Sequence, residues 1–223
     1  MISRNVTDEY PLFLPEPDIP RSPGIHVSSI IRCIATETGI LNERWAEELS
    51  LQDVRIITDP DALLRINIGL AWDEWYLTRI LPRYGVSPHP PEIQYEGVYF
   101  SLDGEDLSVT VTVPTLHYSE RVHEVKSTSK STKTVGDFTS QWMWICQVKA
   151  YCKAKGCNSA VVHVLFLYGD YKAPIPGKFV GLIRPVIKVW ELEFTDEELS
   201  ENWELLDMYK RERLLIEGRN ATT

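Results

Sequence analysis

The sequence lacks any long apolar run, and its first residues lack the pattern of a secretory signal. A membrane-spanning helix needs roughly 18 or more consecutive apolar residues, and no run in the 223 residues approaches that length. The first twenty residues are polar and rich in proline, without the basic start, apolar middle and small-residue cleavage site of a secretory signal. We therefore expect a soluble protein that works in the cytoplasm and has no membrane partner.

Cysteine is scarce, with four residues and no C-x-x-C pair. Cys146 and Cys152 are six positions apart, which places them on opposite faces of a helix that turns 100° per residue. This geometry disfavours a shared metal cluster. We expect reduced thiols that are mostly buried.

Several common catalytic signatures are also missing. The sequence contains no G-x-S-x-G, no G-x-x-x-x-G-K-S/T, no H-E-x-x-H and no G-x-G-x-x-G. The sequence therefore gives no support for a hydrolase with a nucleophile elbow, a P-loop nucleotidase, an H-E-x-x-H zinc protease or a dinucleotide-binding enzyme.

The charge is negative overall but uneven along the chain. A net charge of −9 argues weakly against a protein that coats nucleic acid, because phosphate affinity comes from Lys and Arg. Between Ser119 and Gly156, however, the sequence has only three acidic residues and seven basic ones. The basic residues are Arg121, Lys126, Lys130, Lys133, Lys149, Lys153 and Lys155. A local basic channel is one interpretation. The other is a solvated lysine face on an ordinary helix.

The chain reads as one domain with an appended arm. Residues 1–24 contain five prolines and no sustained period, which is typical of an extended N-terminal arm. Residues 25–223, with ample apolar and aromatic content, are enough for a single hydrophobic core.

Helices are predicted from apolar periodicity and from cap residues. The first is capped by Ser28 or Ser29 and ends at Gly39. The others cover Asn42–Leu49, Asp59 to Pro82, Thr139–Lys155, and a segment from Thr195, which opens a capping box, to about Ile216.

Strands are predicted from alternation and from one buried apolar run. A hairpin joins a strand ending at Leu102 to one over Leu107–Val113, with a turn at Asp103–Asp106; further strands cover Arg121–Ser127, Ala160–Tyr168 and Val186–Phe194. Together these elements predict an α/β fold, with a mixed sheet of about five strands and helices on both faces.

Three residues of this pattern carry chemistry. Asp103 ends a strand, and alternation along the next strand places Glu124 and Lys126 on one face. Two carboxylates, with the Val125 carbonyl as a further oxygen, suit Mg²⁺ or Mn²⁺, and an ammonium beside them can position a water next to a phosphate. We expect the site at one edge of the sheet. Taken alone, E-x-K also fits a surface ion pair.

A helical stripe and a few basic residues are candidates for substrate contact. Gln147 and Tyr151, four positions apart, share a helix face that Lys155 extends, although a tyrosine buried against the sheet is the alternative. Candidate DNA contacts are His26, Lys130, Lys133 and Lys155. The alternative for His26 is a structural role. The alternative for Lys130 and Lys133 is a flexible, solvated loop.

The order of these motifs resembles the RecB-like branch of the PD-(D/E)xK nuclease superfamily, which includes lambda-type exonucleases. The resemblance covers roughly His26 to Tyr168. Its landmarks are the serine-rich helix start up to Cys33, the Gly69 to Glu74 helix motif, Asp103-Gly104, the E-x-K from Glu124 to Lys126, and the Q-x-x-x-Y from Gln147 to Tyr151.

The resemblance implies a restriction-endonuclease-like core and a Mg²⁺-dependent deoxyribonuclease. Asp103 and Glu124 would bind the metal, and Asp73 or Glu74 would assist from the position where related helices often carry histidine. The implied activity is an exonuclease acting on duplex DNA ends in recombination or repair, with a phage origin, a single-strand-annealing partner and a homo-oligomer as open possibilities. A structure- or site-selective endonuclease, and a DNA-binding subunit without metal, are the alternatives.

Overall fold

A computed structural model describes residues 21–41, 60–106, 121–128, 135, 138–167 and 186–220. Several predicted features lie outside these residues: most of the N-terminal arm, the helix over Asn42–Leu49, the strand over Leu107–Val113, and the loop with Lys130 and Lys133. The division into an arm and one domain stays a prediction.

In chain order, the strands are β1 (Ile25–His26), β2 (Val86–Pro88), β3 (Ile93–Tyr95), β4 (Val98–Phe100), β5 (Gly104–Asp106), β6 (Val122–Thr128), β7 (Ser159–Phe166) and β8 (Val186–Glu193). The α-helices are α1 (Val27–Glu37), α2 (Pro60–Trp75), α3 (Trp142–Lys155) and α4 (Asp196–Asn220). Helix α2 continues as a π-helical turn, Tyr76–Ile80, and then a 3₁₀ turn, Leu81–Tyr84; a second 3₁₀ turn, Phe138–Ser140, precedes α3.

A five-stranded mixed sheet of order β2-β5-β6-β7-β8 forms the centre of the fold. Strands β6 and β7 are parallel and the other neighbours are antiparallel. Every residue of β7 is buried, which explains why the sequence there is a continuous apolar run rather than an alternating one. The predicted α/β fold with a mixed sheet of about five strands is confirmed.

Helices lie on both faces of this sheet. On one face α1, α3 and α4 pack together over a core that includes Val122, Val162 and Phe166. On the other face the helical segment after α2 covers Val86 and Val125. No helix in the described part of the chain is both long and apolar enough to cross a membrane.

The predicted turn at Asp103–Asp106 was wrong. Gly104–Asp106 is strand β5, which pairs with β2 on one side and β6 on the other. The hairpin turn lies earlier, between β3 and β4, at Glu96 and Gly97 with φ of 46° and 80°. Two consecutive positive φ values are what a tight hairpin turn needs, so Glu-Gly here fills the role that Asp-Gly usually has.

The predicted start of α1 was also wrong, because the N-cap lies two or three residues before Ser28 and Ser29. The helix begins at Val27 with His26 as the N-cap, and its buried residues Val27, Ile30 and Ile34 show that the apolar period starts before Ser28 and Ser29. Its end at Gly39, with φ of 74°, is confirmed.

The long second helix changes character instead of stopping at Pro82. Its α-helical part ends at Trp75, the π turn buries Tyr76 and Leu77 side by side, and Gly85 ends the last turn with φ of 79°. Pro82 is tolerated because it sits at the start of the 3₁₀ turn, where an amide donor is not required.

The two remaining helices follow the prediction closely. Helix α3 ends at Gly156, whose φ is 76°. At the start of α4, Thr195 and Glu198 form the expected capping box: the Glu198 amide donates to Thr195 Oγ1 at 3.2 Å, and the Thr195 amide donates to Glu198 Oε2 at 2.9 Å.

Candidate active site

Strand β6 places Glu124 and Lys126 on the same face, as alternation predicts. The Glu124 side chain is only 1% exposed, and Lys126 Nζ contacts its Oε1 atom. This is therefore a buried ion pair and not the surface pair that the sequence left open. The pair lies on the middle strand of the sheet, so the expected location at a sheet edge was wrong.

Asp103 is held against the same strand. It follows the buried Leu102, and its Oδ2 atom accepts a hydrogen bond from the Val125 amide at 2.8 Å. Its carbonyl accepts the His89 amide at 2.9 Å. These two bonds hold Asp103 against the strand. The Asp103 and Glu124 carboxyl groups also interact directly, and this raises the pKa of Glu124, so the structure brings the two together.

Gly104 makes this approach possible. A Cβ atom at this position would lie 2.9 Å from Val86 Cγ1, 3.2 Å from the Ser87 carbonyl and 3.4 Å from His123 Cβ. The glycine after Asp103 is therefore required for close packing between β2 and β6, not for a turn.

Asp73 comes to the site from α2. Ser127 Oγ donates to Asp73 Oδ2 at 3.4 Å, which joins the helix to β6. The helix can pack this closely because residue 69 is glycine, where a Cβ atom would lie 2.7 Å from Ser127 Oγ. Of the two acids that the sequence offered from this helix, Asp73 is the one that faces the strand with Glu124.

Glu74 is exposed and pairs elsewhere. Its Oε2 atom lies 2.8 Å from His89 Nε2. His89 has φ of 48°, an uncommon conformation for a residue other than glycine, between Pro88 and Pro90. The pair joins α2 to the segment after β2 at the rim of the site.

Burial and the charge of Asp103 raise the pKa values of Glu124 and Asp73. Burial, followed by the charge of Asp103, raises the pKa of Glu124 to about 8, although Lys126 opposes this. The same two causes, burial and the charge of Asp103, raise the pKa of Asp73 to about 7. Burial lowers the pKa of Lys126, but Glu124 and Asp103 outweigh that effect and raise it. One ammonium therefore faces three neighbouring carboxyl groups and cannot neutralise all of them, which is consistent with the raised pKa values of Glu124 and Asp73.

Two carboxyl oxygens in this cluster have no hydrogen-bond partner. Both Asp73 Oδ1 and Glu124 Oε2 are buried and unpaired. Buried acceptors are costly when unsatisfied, and carboxylate oxygens are the ligands that Mg²⁺ and Mn²⁺ prefer. The donor set therefore fits a hard divalent cation. As they stand, however, no three His, Cys, Asp or Glu side chains in the described residues are arranged to hold a metal ion.

Gln147 and Tyr151 support Lys126. Lys126 Nζ donates to Gln147 Oε1 at 3.1 Å, Gln147 Nε2 donates to Tyr151 Oη at 2.6 Å, and Tyr151 Oη donates to the Ser101 carbonyl at 2.9 Å. Tyr151 is 4% exposed, and burial raises its pKa well above the usual value. The structure thus places the tyrosine against the sheet, as the alternative interpretation held, with its hydroxyl engaged inside the protein.

The other residues predicted to contact DNA bond to groups of the protein away from the carboxylates. His26 bonds the Ser22 carbonyl at 2.8 Å, and its ring contacts that of Tyr99 in a tilted arrangement with centroids 5.6 Å apart, which is a structural role. Lys155 pairs with Glu105. Lys149 lies 3.3 Å from Glu198 of α4. In the described residues, the lysines of α3 therefore make intramolecular bonds, which does not support the predicted basic channel.

The cysteines are unpaired thiols in the described residues, as predicted. Cys146 and Cys152 are buried, and Cys33 and Cys157 are partly buried. Burial raises the pKa of the Cys146 thiol to about 12, so it is inert as a nucleophile.

Sequence reasoning assigned no role to a polar group on the other face of the sheet. His123 Nε2 lies 2.9 Å from Asp106 Oδ1, His123 Nδ1 lies 3.1 Å from His163 Nε2, and His163 Nδ1 lies 3.2 Å from Tyr76 Oη. Burial lowers the pKa of both histidines, that of His163 to about 4. The only signal for this group in the sequence was one histidine in each of two strands, His163 among the apolar residues of β7 and His123 next to Glu124 on β6.

Ser127 and Ser101 were also missed. Ser127 bonds Asp73 through its hydroxyl, and Ser101 bonds Tyr151 through its backbone carbonyl, so only the folded neighbourhood distinguishes these residues from other serines. The Val125 carbonyl as a metal ligand stays a prediction, since the contact seen at Val125 is its amide bond to Asp103.

Comparison with solved structures reveals a shared fold. The crystal structure of LHK-Exo in complex with dAMP matches with a TM-score of 0.51 and 13% identity, over 89% of this chain and 93% of that one. A phage-related exonuclease from Haemophilus somnus 129PT matches with a TM-score of 0.49 and 12% identity, over 88% and 97%. No protein-family model and no curated protein matches the sequence. At this identity, the likeness to LHK-Exo shows a common fold.

Proposed function

We propose that the protein is a deoxyribonuclease that uses Mg²⁺ or Mn²⁺ to hydrolyse DNA phosphodiester bonds, acting as an exonuclease from duplex ends in recombination or repair. The observation that carries this proposal is the meeting of Asp73, Asp103 and Glu124 beside Lys126, with two buried carboxyl oxygens unpaired. The fold shared with LHK-Exo, whose crystal structure is a complex with dAMP, supports it.

Asp103 and Glu124 would hold the cation, with Asp73 as the third carboxylate and the Val125 carbonyl as a further ligand. When bound, such a cation neutralises phosphoryl oxygens and lowers the pKa of a coordinated water. The raised pKa values of Glu124 and Asp73 mean that these groups give up protons when they bind a cation. We therefore expect cation affinity to increase with pH up to about pH 8.

Lys126 would orient the attacking water or the scissile phosphate. Its Nζ atom is anchored by Gln147, so it stays in place when Glu124 turns to a cation. Tyr151 in turn fixes Gln147 from inside the core. Gln147 and Tyr151 thus act on the substrate through Lys126, since they position its ammonium group.

A non-catalytic DNA-binding or assembly subunit is the second candidate. One observation favours it: Lys126 neutralises Glu124 directly, and no three potential ligands among the described residues are yet arranged around a cation. An endonuclease selective for a structure or a site would use the same residues as the exonuclease.

Hydrolysis of linear and circular duplex DNA, with Mg²⁺, with Mn²⁺ and with a chelator, separates these candidates. For wild type we expect loss of the linear form alone, and for Lys126→Ala a decrease in rate of about 10²- to 10³-fold. Lys153→Ala is the matched control, because Lys153 donates to Ser200 on α4 and lies outside the carboxylate cluster.

Each other outcome selects a different function. Nicking of the circle would select the endonuclease. DNA binding without cation-dependent hydrolysis of either form would select the binding subunit, and equal rates for Lys126→Ala and Lys153→Ala would remove Lys126 from the mechanism.

The cellular setting is part of the same proposal. Unpaired cysteine thiols in the described residues are typical of a reducing compartment, which supports a cytoplasmic location. A phage origin, a single-strand-annealing protein as partner and assembly into a homo-oligomer follow from the resemblance to lambda-type exonucleases alone.

A further inference from the structure

Three buried side chains and the partly buried Asp106 form a continuous hydrogen-bonded row on the face of the sheet opposite Glu124 and Lys126. We refer to Tyr76, His163, His123 and Asp106 as the histidine row. Their successive distances are 3.2, 3.1 and 2.9 Å. Tyr76 is 8% exposed, His163 7% and His123 4%, so water does not replace the bonds among these three. Asp106 is partly exposed, and Arg121 Nε donates to its Oδ2 atom at 2.8 Å.

The row has one consistent direction of donation. Asp106 accepts from His123 Nε2, which leaves His123 Nδ1 as an acceptor in the neutral ring. His163 Nε2 then donates to His123 Nδ1, and His163 Nδ1 accepts the Tyr76 hydroxyl. Every polar atom along the row is thereby satisfied. Such a network defines one arrangement of the elements that carry it.

Those elements are the ones that carry the carboxylates. Tyr76 follows Asp73 by one helical turn, at the point where α2 becomes a π-helical turn. His123 directly precedes Glu124 on β6, and Asp106 ends strand β5, which begins directly after Asp103. The fourth member, His163, lies on β7, which is the parallel neighbour of β6.

Stability alone does not call for a polar row. A satisfied buried network adds little net free energy over apolar residues of the same shape, whereas it does fix positions. The neighbouring contacts on this face are apolar, between Leu77, Leu81, Val86 and Val125. Apolar contacts of that kind tolerate small sliding, which hydrogen-bonded rings do not.

We propose that the histidine row positions the candidate active site, because it sets the spacing of α2, β5 and β6 and hence of Asp73, Asp103 and Glu124. The consequence for catalysis rests on the proposed nuclease function. The consequence for geometry does not, because the Val125 amide reports on Asp103 directly through its 2.8 Å bond to Oδ2.

Tyr76→Phe is the sharpest test. It removes one hydroxyl, keeps the ring that packs 5.9 Å from Trp72, and leaves His163 Nδ1 without its donor. We expect kcat to decrease by about 10- to 100-fold with KM for DNA unchanged, because small misplacements of reacting groups cost that much. Cation affinity, measured by calorimetry with Mn²⁺, should weaken by about 10-fold or more.

Amide hydrogen exchange supplies a readout that does not involve activity. In Tyr76→Phe, the Val125 amide should exchange at least about 10-fold faster relative to the buried amides of β7, because its acceptor on Asp103 is no longer held in place. The control is Thr195→Ala, which removes the N-cap of α4 at a comparable cost of about 1 kcal/mol, far from the row.

Two results separate this proposal from the proposed function. If wild type hydrolyses no DNA, the nuclease proposal fails, yet faster exchange at Val125 in Tyr76→Phe would still support the histidine row as a positioning device. If Val125 exchange and Mn²⁺ affinity change no more in Tyr76→Phe than in Thr195→Ala, the row only fills the core and the inference is overturned.

Discussion

Glu124 is the residue at which the chemistry of the site is concentrated. A carboxyl group that is 1% exposed, beside a second acid and a lysine, exists in a balance between three charges. Its fully buried position explains why E-x-K, a common surface pattern, has a different meaning here. The pattern in the sequence identifies the residues, and burial decides what they do.

The raised pKa of Glu124 makes stability depend on pH when no cation is bound. The ordinary pKa is 4.5 and the folded value is about 8, so the fold favours the neutral acid. The stability that this preference contributes is fully present below pH 4.5 and is lost as pH rises through about 8. Glu124→Gln cannot ionise and lacks this loss.

We therefore predict that, with chelator present, wild type loses on the order of 2 to 4 kcal/mol relative to Glu124→Gln between pH 5 and pH 8.5. Urea unfolding across that range measures the difference. Mn²⁺ should restore the stability of wild type and leave Glu124→Gln unchanged. Exposed Glu193→Gln is the control. Parallel pH curves for wild type and Glu124→Gln would contradict the burial of this charge.

At the scale of elements, the site depends on how closely α2 packs on β6. Gly69 allows the contact, and Ser127 uses it to hold Asp73. A helix that stood farther off would leave Asp73 outside the cluster while the sheet stayed intact. The two strands with Asp103 and Glu124 therefore do not complete the site by themselves.

Gly69→Ala tests this packing. The new methyl group would lie 2.7 Å from Ser127 Oγ, so the hydroxyl must turn away and lose its bond to Asp73. Alanine favours helix over glycine by about 1 kcal/mol, which offsets the cost of the close contact and the lost bond. We therefore expect little change in the free energy of unfolding. Mn²⁺ affinity should nonetheless decrease several-fold.

The double variant Gly69→Ala/Ser127→Ala removes the clash as well. It should be more stable than wild type by about 1 kcal/mol in chemical unfolding, yet bind Mn²⁺ no better than Gly69→Ala. A double variant with wild-type affinity would show that the Ser127 bond to Asp73 is dispensable.

Much of the element order was predictable because its signals are local. The capping box at Thr195, Gly156 after α3 and the apolar run of β7 each depend on neighbours within a few residues. The turn at Glu96 and Gly97 was not predicted, because Asp103-Gly104 carries the stronger turn signal in the sequence. That glycine is needed for the close approach of Val86, from a strand only three residues long, and such an approach has no local signature.

The site itself was predictable in part. Asp103, Glu124 and Lys126 follow from strand alternation, since period two fixes which side chains share a face. The choice between Asp73 and Glu74 does not follow from the sequence. Neighbouring helix positions differ by 100°, and only the docking of the helix decides which of them faces the sheet. The buried hydroxyl of Tyr151 also depends on a tertiary contact, with Ser101.

At the scale of the whole molecule, the histidine row links stability to acid pH. Burial, and then the nearby His123 and Arg121, lower the pKa of His163 from 6.5 to about 4. A lowered histidine pKa contributes stability that is present above pH 6.5 and is lost as pH falls through about 4. The protein must either unfold or accept a charge inside its core.

We predict that wild type loses on the order of 2 to 3 kcal/mol between pH 7 and pH 4 relative to His163→Gln, whose side chain stays neutral. Unfolding in urea at matched ionic strength measures this. His26→Gln is the control, as it substitutes a partly buried histidine of the small three-stranded sheet, outside the histidine row. A wild-type curve parallel to that of His163→Gln would exclude a neutral, buried His163.

The parallel pairing of β6 with β7 also bears on the order in which the molecule assembles. Glu124, Lys126, Gln147 and Tyr151 all belong to the single β6–α3–β7 segment, whereas Asp73 and Asp103 arrive from earlier parts of the chain. Lys126 can thus meet Glu124 and Gln147 by closing short loops. The three carboxyl groups come together only when α2 and β5 dock. A divalent cation should then speed that late docking step and leave the initial collapse at the same rate.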